Sequence, residues 1–256
     1  LDRERLHADG STEAELKISV VVPAFNEEKL IAASLAAIRN AMSGFSDKGW
    51  ETELIVCDNN STDRTAELAR AAGAIVVFEP VNQIARARNC GAAAASGEWL
   101  VFVDADSYPS PELFAEVAAA IISGTCLFGG VTVKMQGRHP SARIGTALWN
   151  CISRIGKLAA GSFIFCETAA FRRIGGFDNR FFASEEIDLS QRLKSIARSS
   201  GKRAIILHRH PILTSDRKVR LYSSRELLRL LMRSILAPRR TLQSRDACHA
   251  WYDGRR

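Results

Sequence analysis

Apolar residues gather into short β-branched runs over the first hundred positions: 17–23 (KISVVVP), 52–58 (TELIVCD), 74–78 (AIVVF) and 99–104 (WLVFVD). A strand with one wet face alternates apolar and polar residues, so these near-continuous runs predict strands covered on both faces. Between them, 29–42, 62–72 and 86–95 are alanine-rich with apolar residues at helical spacing. Strand and helix therefore alternate, which predicts a mostly parallel α/β sheet with helices on both faces and ligand binding at the carboxyl ends of the strands.

The second half continues the pattern less regularly. Residues 161–165 (GSFIF) read as a strand, followed by 168–174 and a Gly175-Gly176-Phe177-Asp178 turn. In SEEIDLSQRLKSIA, Leu189, Leu193, Ile196 and Ala197 mark one apolar helix face, with Ser184 expected as N-cap and Glu185 and Glu186 in the first turn. A strand over 204–207 leads to His208 and His210, an HxH pair that reads either as ordinary polar residues or as part of a metal site.

Composition narrows the class. The chain has 256 residues, 46% hydrophobic and 25% charged, enough for one large core. No run approaches a membrane span, and the N-terminal LDRERLHADGSTEAEL carries no signal-like apolar stretch, so a cytoplasmic protein is expected. The six cysteines form no CxxC pair and read as reduced thiols. Charge is uneven: residues 201–256 hold 14 Lys+Arg against 4 Asp+Glu, whereas residues 1–200 hold 21 against 24. In LYSSRELLRLLMRSILAPRR, Leu221, Leu228, Leu231 and Ile235 share one face and Arg225, Arg229 and Arg233 another. This basic amphipathic helix suits an anionic surface at the inner face of a membrane, and equally a contact with the core or a second subunit. The expected division is a loose tail over 1–16, one α/β domain over 17–218, and the basic helix and tail over 219–256.

Three predicted strands run into polar residues that share one rim: Pro23-Ala24-Phe25-Asn26-Glu27-Glu28, Asp58-Asn59-Asn60-Ser61-Thr62-Asp63, and Asp104-Ala105-Asp106. Ser61 or Thr62 would cap the next helix, with Asp63 in its first turn. A turn before the helix near Pro111 accounts for Asp106 and Ser107, but not for an acid closing an apolar strand. Crowded carboxylates raise one another's pKa unless a cation or donors separate them, so the rim favours a bound metal. Asp58, an acceptor-only group, is suited to the N–H edge of a nucleobase. Arg86 and Arg88 are placed either to approach a nucleotide or to hold a loop to an acid.

VVPAFNEE, CDNNSTDRT, ARARNCGAAAASGEWLVFVDAD and GGFDNRFFASEEIDLSQRL, in that order, resemble the family 2 glycosyltransferases of the GT-A fold, over about residues 17–218. The resemblance implies a single Rossmann-like GT-A domain and metal-dependent, inverting transfer from a nucleotide sugar, UDP- rather than GDP-linked, to a glycan or lipid-linked acceptor. It places Pro23, Ala24, Phe25 and Glu27 around the nucleoside, Asp58 at the base, and Arg88 and Ala105 beside the nucleotide. Asp104 and Asp106 match the DxD motif, with Asp106 as ligand to Mg²⁺ or Mn²⁺ and Asp104 near the ribose and the metal's waters. Glu186 takes the position of the catalytic base, Glu185 that of an acceptor contact and Asp188 that of the later acid. The chain departs from the commoner pattern in carrying Glu, not Asp, at 186.

Rival enzymes fit poorly. Pro23-Ala24-Phe25-Asn26 supplies no glycine-rich turn for a dinucleotide or a nucleotidyltransferase loop, and no GxxxxGK[ST] is present. Nothing in the chain calls for nucleic acid as a partner. A non-catalytic nucleotide-sugar or glycan-binding module of the same fold stands as the alternative.

Overall fold

The computed structural model describes residues 16–137, 140–215, 242–244 and 248. Its frame is β1 (Lys17–Ala24), buried from Ile18 onward as its apolar run predicts. Parallel partners flank it: β2 (Glu51–Asp58) on one side and β4 (Trp99–Val103) on the other, with β3 (Ile75–Phe78) beyond β2. The connections are α1 (Ile31–Ala41) with the short α2 (Ser43–Ser46), then α3 (Thr65–Ala71), then α4 (Ile84–Ala94). The chain thus leaves β1 in both lateral directions, which opens a crevice at the carboxyl ends of β1 and β4.

Beyond β4 the sheet is mixed. It has eight strands in the order β3-β2-β1-β4-β7-β6-β8-β5. β7 (Phe163–Glu167) runs antiparallel to both β4 and β6 (Cys126–Met135), β8 (Arg203–Thr214) runs parallel to β6, and the two-residue β5 (Ser107–Tyr108) closes the edge antiparallel to β8. The intervening helices are α5 (Pro111–Ile122), α6 (Pro140–Gly156), α7 (Thr168–Arg173) and α8 (Glu185–Ser199). The strand expected over 204–207 is longer, since β6 pairs with β8 as far as Thr214, and it takes in both histidines.

Each face of the sheet is covered by helices. Val20 and Val22 of β1 pack with Leu35, Ile38, Phe114 and Phe163, whereas Val21 packs with Phe102, Phe171 and Leu189 on the other side. Phe102, Phe171 and Phe177 meet at centroid separations of 5.2–5.6 Å, which fixes α7 and the turn after it against β4. No helix among the described residues is long and apolar enough to cross a membrane. The predicted helix over residues 221–236 and the first fifteen residues lie outside the described residues.

Candidate functional site

The first two polar rims are sewn together behind β1. The Asn26 amide donates to Ser61 Oγ at 3.0 Å, the Thr62 amide donates to Asn26 Oδ1 at 2.8 Å, and the Glu27 amide donates to Thr65 Oγ1 at 2.7 Å. Ser61 and Thr62 therefore do not cap the following helix as expected, because their polar groups are engaged across the rim. The N-cap position falls to Arg64, which makes no side-chain capping bond, while Asp63 Oδ1 accepts the Thr65 amide at 2.9 Å just before the helix. Asp58 is buried at the end of β2, where Oδ1 accepts the Ser61 amide at 3.1 Å and shapes the turn. Asn59 spans to the next loop, donating to the carbonyls of Glu79 and Val81 and accepting the Gln83 amide at 2.8 Å.

The third rim is both a turn and an acidic site. The Ser107 amide donates to the Asp104 carbonyl at 3.0 Å, and Ser110 Oγ accepts the Leu113 amide to cap α5. The side chains have further partners: Asp104 Oδ1 accepts from Arg88 at 2.9 Å, and Thr214 Oγ1 donates to Asp106 Oδ1 at 3.5 Å. The Ser215 amide donates to the Asp106 carbonyl, so the end of β8 abuts this acid. Residues 216–218 lie outside the described residues.

Arg88 connects this rim to α8. Its guanidinium is 2% exposed and donates to Asp104, to the Gly161 carbonyl at 2.8 Å and to the buried Glu185 carboxylate. Burial opposes its charge, but Asp104, Glu185 and Glu186 more than offset this and hold it fully protonated. Arg86 instead pairs with Glu79 at 3.0 Å, so both arginines hold acids. Beside Arg88, burial and then the Glu185 carboxylate push the Glu186 carboxyl up to about 8, against the pull of Arg88. A side chain at Gly161 would crowd this arrangement: a Cβ there would lie 3.3 Å from the Arg88 guanidinium and 3.6 Å from the Glu186 carboxyl carbon.

Ser184 precedes α8 but is not the expected hydroxyl cap. It adopts φ +62°, in the left-handed region, and makes no side-chain capping bond. The chain has to turn sharply there to aim Glu185 inward, and a left-handed non-glycine residue marks strain held by its surroundings. Asp188 faces away from this cluster. It pairs with Arg192 at 2.6 Å, and Arg192 also donates to the carbonyls of Ile174 and Gly176, fastening α8 to the turn after α7.

These elements enclose a cleft of about 190 Å³. Pro23, Ala24, Phe25 and Glu27 form one wall, Arg88, Asp104, Ala105 and Asp106 the floor, and Glu185 and Glu186 the far side. Of the sequence-derived candidates, Asp58 and Asp188 stand outside the lining. Asn59, Asn82, Ile84, Ala87, Gly161, Phe182 and Ala183 also line it. Phe182 and Ala183 lie within the quoted GGFDNRFFASEEIDLSQRL, but Asn82 carries no sequence signal beyond preceding a helix. The Phe182 amide donates to the Leu242 carbonyl at 2.7 Å, and Cys248 is buried close enough to Glu185 that its thiol, raised chiefly by burial, reaches about 11.

The donor set suits a hard divalent cation. Asp104 and Asp106 offer carboxylate oxygens on the floor, and among the described residues no Cys or His lines the cleft. Among the described residues no group of three or more Asp, Glu, His or Cys side chains could hold a metal by itself. The two floor carboxylates agree with Mg²⁺ or Mn²⁺, which are held by one or two carboxylates with the remaining ligands from phosphate and water. His210 faces Glu116 at 3.4 Å, away from the cleft.

Known proteins share sequence and fold with this chain. A glycosyltransferase of Mycobacterium tuberculosis is 34% identical over 133 residues, 51% of this chain and 56% of its own length. Staphylococcus aureus TarS 1–349, solved in complex with UDP-GlcNAc, is 25% identical with a TM-score of 0.60, over 79% of this chain and 59% of that one. The mannosyltransferase PcManGT from Pyrobaculum calidifontis, solved with GDP-Man and Mn²⁺, is 21% identical with a TM-score of 0.62, over 85% and 61%. The fold is thus the GT-A fold. The chain spans about half the length of the curated relatives it matches. The model of the glycosyl transferase family 2 matches residues 19–181, well over half of the sequence, and the chain belongs to that family.

Proposed function

We propose that this chain transfers a sugar from a nucleoside diphosphate sugar to an acceptor hydroxyl, with inversion at the anomeric carbon and with Mg²⁺ or Mn²⁺ at the floor of the cleft. The observation that carries this reading is the single cleft joining the strand-end wall, the Asp104–Asp106 floor and the Glu185–Glu186 pair through one buried arginine. A UDP-linked donor is favoured over a GDP-linked one because TarS, solved with UDP-GlcNAc, has the higher identity of the two solved neighbours compared.

Pro23, Ala24, Phe25 and Glu27 would flank the nucleoside, with Asp58 setting the turn behind them, and Asp104 and Asp106 would hold the cation. When bound, the cation neutralises charge growing on the leaving diphosphate. Arg88 fixes Asp104 and withdraws Glu185 into an ion pair, which leaves Glu186 as the carboxyl whose proton affinity lies near neutral pH. Such a group is suited to general-base catalysis. Glu186 takes the acceptor hydroxyl proton, the freed oxygen attacks the anomeric carbon opposite the diphosphate, the bond to the diphosphate breaks, and configuration inverts.

The test is a panel of UDP- and GDP-sugars followed by thermal shift and by donor hydrolysis, each with Mn²⁺ and with excess chelator. Metal-dependent stabilisation together with slow hydrolysis supports transfer. Stabilisation with no turnover on any donor or acceptor hydroxyl would support the binding-module alternative, and full activity in chelator would overturn the metal assignment.

A further inference from the structure

The helix α6 presents an apolar face to solvent. Ile144, Leu148, Ile152 and Ile155 are 71%, 62%, 46% and 80% exposed, and Cys151 is exposed among them. At 100° per residue these five positions fall within a sector of about 100°, a continuous stripe some 17 Å long at 1.5 Å per residue. The opposite side of the helix is the packed one. Trp149 rests on the core, Asn150 exchanges hydrogen bonds with both backbone groups of Val133 at 2.9 Å, and Ser153 is buried and donates to the Leu158 carbonyl. The apolar stripe therefore faces away from the core. Clustered large aliphatics of this kind mark a surface that meets an apolar partner.

Charge identifies the partner. The fifty residues 117–166 contain no Asp or Glu but include Lys134, Arg138, Arg143, Arg154 and Lys157. Arg143 and Arg154 lie along one margin of the stripe and Lys157 lies just past its end, all exposed. A second copy packed antiparallel on this helix would bring the same positive margin against itself, and a parallel pair would gain no acid to neutralise it. The chain's own segment 217–240 has eight Lys+Arg and one acid, Glu226, so it too would meet like charge. An anionic lipid surface satisfies both features, since acyl chains accept the aliphatic stripe while headgroups neutralise the basic margin.

We propose that the outer face of α6 is a docking surface for an anionic bilayer, with the helix lying in the plane of the interface. Gly161, which lines the cleft, follows Gly156 by five residues, so a docked α6 holds one wall of the cleft next to the lipid surface.

Vesicle binding tests this without any donor or turnover, so its failure is separable from failure of the transfer reading. The whole chain, in a Cys90→Ser background with an environment-sensitive fluorophore on Cys151, is mixed with vesicles of phosphatidylcholine alone or with added phosphatidylglycerol. The expected result is binding to the anionic vesicles with a blue shift of the label, and a loss of roughly tenfold or more in the affinity of an unlabelled Ile144→Gln, Leu148→Gln, Ile155→Gln variant. The Arg225→Gln, Arg229→Gln, Arg233→Gln variant serves as the control. Three results would overturn the proposal: no binding by the wild-type chain, binding lost only in the arginine control with the Cys151 label unmoved, or a concentration-dependent dimer that the α6 variant abolishes.

Discussion

Glu186→Gln separates the electrostatics of the cleft from its chemistry. Burial and Glu185 lift the Glu186 carboxyl from its ordinary 4.5 to about 8. Between those values the folded chain keeps a proton that the unfolded chain has released, so stability is greatest at acid pH and falls as pH rises through the window. At 1.36 kcal/mol per pH unit this shift sets a ceiling of about 5 kcal/mol on the pH-dependent loss. Gln keeps the shape and removes the titration. Urea unfolding at intervals from pH 5 to pH 9 should therefore show the wild-type chain losing stability toward pH 8 while the variant stays flatter, with the variant the more stable of the two above pH 8. The same substitution should leave donor affinity unchanged and lower turnover by roughly 10²-fold or more, because a base acts on the acceptor and not on the donor. Wild-type turnover should rise with pH through the same range. Parallel stability curves would refute the electrostatic argument, and near-normal turnover would remove Glu186 from the chemistry.

Other residues give further tests. Asp106→Ala should abolish most Mn²⁺-dependent stabilisation by a UDP-sugar and cost about 10²-fold in turnover while leaving the metal-free unfolding midpoint close to wild type, read by thermal shift; unchanged metal dependence would move the ligand elsewhere. Arg88→Met strands the buried Glu185 carboxylate and should cost about 3–5 kcal/mol in urea unfolding, whereas Arg88→Lys should cost less but still lower turnover, since one ammonium cannot reach Asp104, Gly161 and Glu185 together. Ser184→Gly should relieve the left-handed strain and raise stability by about 0.5–1 kcal/mol; a loss of stability would show that the hydroxyl, not the backbone, matters there.

The first half of the sheet was legible because its signals are local. The runs at 17–23, 52–58 and 99–104 are apolar on both faces, and each corresponding strand is buried over most of its length. β6 left no comparable trace. Gly129 and Gly130 interrupt its apolar run, and they are there for packing: a Cβ on Gly129 would lie 2.4 Å from the Phe165 ring. β5 is two residues long and exists only because β8 pairs with it. The exposed stripe of α6 is illegible in the sequence for a different reason. An amphipathic pattern gives the apolar face but not what covers it, so nothing in the sequence separates a core helix from one whose apolar face is outside.

The site shows the same division between local and tertiary causes. Asp104, Asp106, Glu185 and Glu186 were identified from ordered motifs, but their unequal roles come from one residue outside those positions. Arg88 lies on α4, far in sequence from α8, and its three partners come from the end of β4, the loop before β7 and the first turn of α8. Arg88 pairs directly with Glu185, while burial and the Glu185 carboxylate raise the proton affinity of Glu186 against the pull of the same guanidinium. A sequence motif can therefore say which acids meet, while the division of labour between them depends on where a single buried guanidinium points.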